Sequence, residues 1–287
     1  MDAPRHYLRT LLILGRVSNL PTVWSNCLAG WLLGGGGSVP RLLWLCLGAT
    51  LVYLGGMYLN DAFDAEFDQQ HRSERPIPSG AISTAAVWQW GVSWLALGLV
   101  CLGLLGPKPA VFSGLLALCI FIYDAIHKIF ALSPVLMAGC RFFLILLAAS
   151  AARDGVTGLA LWSALALASY IVGLSYLARK ESIQTTLRYW PCLLLAAPIL
   201  LALIVNRGEF YWRGILLCAV LALWMVRSLG HALWAPQRQI GRSVAGLLAG
   251  IVLVDLLAVA GGSPGLALLF VLLFVLALFS QRFIPAT

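Results

Sequence analysis

Ten apolar stretches, each long enough to cross a bilayer as helix, follow one another from end to end of this chain, and no other feature limits its fold as strongly. A hydrocarbon core of about 30 Å takes roughly 20 residues of helix. The stretches fall at 11–34, 40–60, 84–106, 109–127, 132–152, 158–178, 189–206, 210–230, 243–261 and 264–281. Soluble domains carry about 25% charged residues; here 61% are hydrophobic and only 10% charged, too few to cover a water-facing surface. Strands do not fit. An open sheet in lipid leaves backbone groups unpaired, and these runs are too long and continuous for a barrel. The expectation is an all-α protein, a single polytopic transmembrane bundle over residues 1–287 with no polar linker dividing it.

The connections alternate in charge. One set holds Arg5, Arg9, Arg72, Arg75, Lys128, Arg179, Lys180, Arg188, Arg227, Arg238, Arg242 and Arg282; the other holds only Arg41, Lys108, Arg153, Arg207 and Arg213. Twelve against five places the first set, with both termini, in the cytoplasm, as in a bacterial-type inner membrane. The formal charge of +8 is therefore read as topology, and no nucleic-acid partner is expected. The last pair of stretches is interrupted only by Gly261-Gly262-Ser263-Pro264, so a hairpin and a single broken helix both fit. No cleavable signal peptide is expected, because the first run exceeds a signal core and contains Arg16, Asn19 and Pro21. The seven cysteines are scattered singly without metal-like spacing, which suits packing. His6, His71, His127 and His231 form no i, i+4 pair and are expected at the membrane interface.

Almost half of the acidic residues sit in one connection: Asp61, Asp64, Glu66, Asp68 and Glu74 between the second and third stretches. On a helix turning about 100° per residue, Asp61, Asp64 and Asp68 lie within about 60° of one another, with Asn60 roughly 40° further round. Glu66 falls on the opposite face. Like charges at these spacings repel, so the stripe gains stability only with a counter-cation. Oxygen ligands at this density suit Mg²⁺. The plain alternative is a solvated acidic loop. Downstream, Arg72 and Arg75 can pair with phosphate oxygens, and the prolines and Gly80 stiffen and turn the loop.

The run Asn60–Asp68 (NDAFDAEFD), followed by Arg75–Gly80 (RPIPSG), resembles the UbiA superfamily of membrane prenyltransferases, whose first motif is NDxxDxxxD. Residues 14–26 are similar to that family's first helix, and Tyr123–Lys128 (YDAIHK) to its Tyr and Lys near the end of the fourth span. The resemblance covers about residues 11–185. It implies a bundle, usually of nine spans against the ten counted here, around a central cavity open toward the cytoplasmic side. It further implies Mg²⁺ held by two Asp-rich motifs, a lipid diphosphate, and a small acceptor. The second motif, DxxxD, is absent: the corresponding segment reads Tyr176-Leu177-Ala178-Arg179-Lys180-Glu181, with Glu181 its only acid. A subset of the superfamily with a basic-plus-Glu version, including phosphoribosyl-transferring relatives, is similar here.

The expected function is Mg²⁺-dependent transfer of a prenyl group from an isoprenyl diphosphate to an aromatic or other cyclic acceptor. Alternatives are transfer from phosphoribosyl diphosphate to a polyprenyl phosphate, or non-catalytic lipid binding. Asp61, Asp64, Asp68 and Glu181 are the expected metal ligands. Asp64, Lys128, Arg72 and Tyr123 are the expected catalytic set, with Lys180 also offered to the diphosphate. Asn60, Arg75 and Tyr176 are expected at the substrate. Arg141 lies inside an apolar run, where a charge is costly, and is read as facing the cavity. Asn19 and Asn26, seven residues apart, share a helix face and bond either substrate or a neighbouring helix. Asp255, deep in the ninth stretch, is expected to have a structural partner on another helix.

Overall fold

The computed structural model describes residues 3–128, 130, 132–182, 190–234 and 239–286, with the backbone alone at 3–6 and 180–182. The described residues form α-helices and short 3₁₀ turns without strands. The helices are α1 (Ala3–Leu14), α2 (Leu20–Leu33), α3 (Val39–Phe63), α4 (Ala65–His71), α5 (Thr84–Gly103) and α6 (Pro107–Ile126). They continue as α7 (Ser133–Ser150), α8 (Gly158–Ser182), α9 (Ala197–Val205), α10 (Tyr211–Leu233), α11 (Ile240–Ala258) and α12 (Pro264–Ser280). Among the described residues seven helices are long and apolar enough to cross a membrane, and Trp190–Val205 and Pro264–Ser280 are shorter apolar ones. Proline stands in the first turn of α2, α3, α6, α7, α9 and α12. There its missing N–H costs no hydrogen bond and its fixed φ suits the helix.

The first apolar stretch is not one span. α1 stops at Leu14, and Arg16 adopts a left-handed backbone with φ 40° and ψ 48°. A 3₁₀ turn over Val17–Asn19 leads into α2. Pro21 explains the restart, since a proline is tolerated at the beginning of a helix but not within it. The last two stretches form a hairpin. Ser263 caps α12 by accepting from the Leu266 N–H, and Gln281 Nε2, past the end of α12, donates to Ala245 O near the start of α11 at 3.1 Å.

Cross-links between connections sort them onto two faces of the bundle. On one, Arg16 and Lys128 reach the end of α3, Arg179 donates to Phe130 O, and Asn19 donates to Ala286 O. On the other, Arg41 donates to Ala151 O and Leu105 O, Asp154 N to Gly34 O, and Arg213 to Gly262 O.

α3 and α5 pack antiparallel through glycine hollows. A Cβ on Gly55 would lie 2.6 Å from Leu95 N, and one on Gly98 2.8 Å from Val52 N. Leu102 fills the hollow at Gly48 and Leu59 the one at Gly91. With lipid outside, apolar side chains gain nothing by leaving it, so close backbone approach has to supply the helix–helix attraction. This contact fixes the end of α3, which carries the acidic stripe. Gly55→Leu is expected to force the pair apart and destabilise the detergent-solubilised protein by about 1–3 kcal/mol. Thermal unfolding checks this; an unchanged midpoint would mean that the contact does not hold α3.

Candidate functional site

The stripe survives the end of α3. Asp64 joins α3 to α4, and the backbone bonds Asp64 N to Asn60 O (3.0 Å) and Asp68 N to Asp64 O (2.9 Å) keep the helical rotation across the junction. Asn60, Asp61, Asp64 and Asp68 are all buried, between 2% and 8% exposed, whereas Glu66 on the opposite face is exposed.

Basic groups from three separate segments neutralise these carboxylates. The left-handed turn delivers Arg16, whose Nη2 lies 3.1 Å from Asp61 Oδ1 and 3.3 Å from Asn60 Oδ1. The loop before α5 delivers Arg75, whose Nη1 lies 2.8 Å from Asp68 Oδ2 and 3.3 Å from Asp61 Oδ1. The end of α6 delivers Lys128, 2.7 Å from Asp64 Oδ1, and His127, 3.5 Å from Asp64 Oδ2. Lys128 Nζ also sits 4.0 Å from the centre of the Phe67 ring, a cation–π contact that keeps the ammonium in place. Burial pushes the Asp64 pKa up, but hydrogen bonding and charge from His127 and Lys128 outweigh it and hold the group below the ordinary aspartate value.

The structure thus brings together Asn60, Asp61, Asp64, Asp68, Arg75 and Lys128. Tyr123 joins them at the edge, its ring stacked on His127 at 4.9 Å. Arg72 stays partly exposed at the end of α4, its N–H donating to Asp68 O at 2.7 Å. Tyr176 lies partly buried on α8. The side chains of Lys180 and Glu181 are outside the described residues. Asn19 and Asn26 do not converge on one point. Asn19 donates to Ala286 O at 2.9 Å. Asn26 donates to Asp255 Oδ2 at 2.7 Å and accepts from Arg141 Nη1 at 2.7 Å. Arg141 is therefore engaged with α2, where it also reaches the Thr22 hydroxyl at 3.0 Å. Asp255 has the interhelical partners expected of it, Ser25 and Asn26.

Three residues at the centre escaped the sequence reading: Arg16, Asp124 and His127. Asp124 accepts from Asn60 Nδ2 at 3.0 Å. His127 is not simply interfacial, since it faces Asp64. The signal was present in the spacing: Asp124, His127 and Lys128 stand at i, i+3 and i+4, which puts them on one helix face.

Among the described residues no three acidic, His or Cys side chains already close around one point; basic groups stand between the carboxylates. Two buried oxygens of the site, Asp68 Oδ1 and Asp124 Oδ2, have no hydrogen-bond partner among the described residues. Buried polar atoms are rarely left so, and an oxygen-rich donor set with vacant lone pairs suits a hard divalent cation.

A bundle of apolar helices with one charged centre buried at its end defines an integral, multi-pass membrane protein built around a polar site. The match of residues 20–239 goes further: the chain belongs to the UbiA prenyltransferase family. A digeranylgeranylglyceryl phosphate synthase of Ignicoccus hospitalis is 35% identical over 118 residues, which are 41% of this chain and 38% of that protein. The match spans well under half the length of such curated relatives. Two solved structures share the fold. A UbiA homologue from Aeropyrum pernix has a TM-score of 0.69 at 15% identity, over 87% of this chain and 98% of that one. One from Archaeoglobus fulgidus, bound to GPP and Mg²⁺, has a TM-score of 0.54 at 14% identity, over 96% and 99%.

Removing one partner of a buried ion pair leaves the other charge uncompensated and costs on the order of 3 kcal/mol. Arg75→Met is expected to lower the unfolding free energy by about that much. Adding Asp68→Asn to it should recover a large part. Equal thermal midpoints for wild type and Arg75→Met would show that the pairs do not support the fold.

Proposed function

We propose that this protein is a Mg²⁺-dependent intramembrane prenyltransferase that takes the prenyl group of an isoprenyl diphosphate, passes it to a small acceptor and releases diphosphate. The observation that carries the reading is the buried stripe Asn60, Asp61, Asp64 and Asp68 facing Arg16, Arg75, His127 and Lys128. Such a centre offers both kinds of group that a metal diphosphate needs: carboxylates for the cation and basic side chains for phosphate oxygens. Asp61, Asp64 and Asp68, with the Asn60 amide, would hold Mg²⁺. Bound there, the metal supplies positive charge that stabilises the leaving diphosphate.

With a cation on the carboxylates, Arg75 and Lys128 would be available to the diphosphate oxygens, where charge grows as the C–O bond breaks. Arg72, at the end of α4, would join them. Tyr123 lines the mouth of the site beside His127. The apolar bundle beyond keeps water from the allylic cation, which would otherwise be hydrolysed.

Two acceptor classes follow from different observations. The resemblance to the superfamily implies an aromatic or other cyclic ring. The curated relatives are named for a glyceryl phosphate bearing two geranylgeranyl groups, which favours an alcohol. Purified protein given dimethylallyl, geranyl or geranylgeranyl diphosphate, with aromatic or glyceryl phosphate acceptors, should release pyrophosphate only with Mg²⁺. Phosphoribosyl diphosphate with a polyprenyl phosphate acceptor completes the panel, and turnover with that pair only would replace prenyl transfer by the alternative chemistry. Asp64→Ala should cut turnover by a factor of 100 or more, roughly what a lost charge-stabilising group costs. Full turnover in EDTA would end the metal-dependent reading.

The charge asymmetry of the loops supports a site face in the cytoplasm. In a cysteine-free background, Gln70→Cys should label from the cytoplasmic side and Val156→Cys from the other. The reverse pattern would invert the protein in the membrane.

A further inference from the structure

We infer that Asp124 is a fourth carboxylate ligand of the divalent-cation site, an inference that rests on the metal-dependent reading above. Asp124 belongs to α6 and not to the acidic stripe, and it is 5% exposed. Its Oδ1 accepts from Asn60 Nδ2 at 3.0 Å, while its buried Oδ2 has no hydrogen-bond partner among the described residues. The nearby basic groups are engaged elsewhere: Arg16 with Asp61, Arg75 with Asp61 and Asp68, and His127 and Lys128 with Asp64.

The register of two helices places Asp124 beside the stripe. α3 and α6 run side by side in the same direction, Asn60 opposite Asp124 and, one turn on, Asp64 opposite His127 and Lys128. Asn60 is the hinge of the arrangement. Its amide nitrogen holds Asp124 and its amide oxygen accepts from Arg16, which pairs with Asp61. Asp124 is therefore one residue removed from the stripe, with a free oxygen to give.

Its chemistry argues the same way. A partner for the Asn60 amide needs only an acceptor oxygen, and an asparagine supplies one without burying a carboxyl. Burying a carboxylate without a paired cation is far more costly than burying an amide. A divalent cation removes that excess, since Mg²⁺ binds carboxylate oxygens and fills its remaining positions with water or phosphate oxygens. Asp124 then provides from α6 an acid that the Tyr176–Glu181 segment offers only at Glu181.

Asp124→Asn separates a ligand from a brace, because it keeps the acceptor for Asn60 and removes the anion. Mn²⁺ is the probe, its binding to purified, substrate-free protein read by electron paramagnetic resonance with and without inorganic pyrophosphate. Asp124→Asn should weaken Mn²⁺ binding roughly tenfold or more, with elution profile and helix content kept. Wild-type Mn²⁺ affinity in Asp124→Asn would overturn the inference and leave Asp124 as the brace of Asn60, the metal-dependent reading untouched. If that variant does not fold, Asp124→Ser carries the same comparison; failure of both to fold in metal-free protein would also overturn it, because the carboxylate would then serve the fold without the metal. A wild type that binds no Mn²⁺ under either condition removes the metal-dependent reading and this inference together.

Discussion

Carboxylates gathered at the end of a lipid-embedded helix must be neutralised, and the rest of this structure is arranged around that requirement. Asp61, Asp64 and Asp68 point inward from one helical stripe. Placed together in a medium of low dielectric, they repel one another and lose their hydration. No single segment could answer all three. Arg16 comes from a break before α2, Arg75 from the loop before α5, and His127 and Lys128 from the end of α6. Charge neutralisation is thus a tertiary contact. It closes the bundle at one end as surely as apolar packing closes it along its length.

A second polar network lies among α2, α7 and α11. Asn26 sits between a carboxylate and a guanidinium, donating to Asp255 and accepting from Arg141. Ser25 adds a second donor to Asp255, and Thr22 two acceptors to Arg141. One positive and one negative group balance across an amide, which makes their burial tolerable. Glycine again allows the approach: a Cβ on Gly34 would lie 2.6 Å from Ala149 O, so α2 rests directly on the α7 backbone. The same two devices, glycine contact and bridged charge, hold α2 to α7 and α3 to α5 and α6.

Much of this was legible in the sequence because lipid makes strict demands. Span-length apolar runs, the inward face of Asp61, Asp64 and Asp68, and the outward Glu66 all follow from helix geometry and hydrophobicity. The break in the first run was less visible: Arg16, Ser18 and Asn19 interrupt it and Pro21 hints at a restart, but apolar residues on both sides keep the stretch at span length. Arg16 is legible as a charge inside an apolar run but not as part of the site: its partner lies 45 residues away, and pairing over that separation depends on how helices dock. Asp124 and His127 were missed for a related reason. Their spacing with Lys128 marks a helix face, but which neighbour that face meets is set by the packing of α3 against α5 and α6. The glycines at 48, 55, 91 and 98 recur every seven residues on each helix, a pattern that points to close helix contact once it is sought.

Arg16 draws these threads to a single backbone. It is the one non-glycine residue with positive φ among the described residues, a conformation that costs a side-chain-bearing residue on the order of 1 kcal/mol. The turn is braced: Tyr53 Oη and Asn19 N both donate to the Arg16 carbonyl, at 3.2 and 3.0 Å. Glycine would adopt this geometry freely, but it would take from Asp61 one of its basic partners. Position 16 therefore sets two kinds of fitness against each other. Directed evolution for a more rugged protein has a local incentive to erase the side chain there, and selection for turnover has an incentive to keep it. Which residue a lineage carries at that turn is a record of which pressure it has been under.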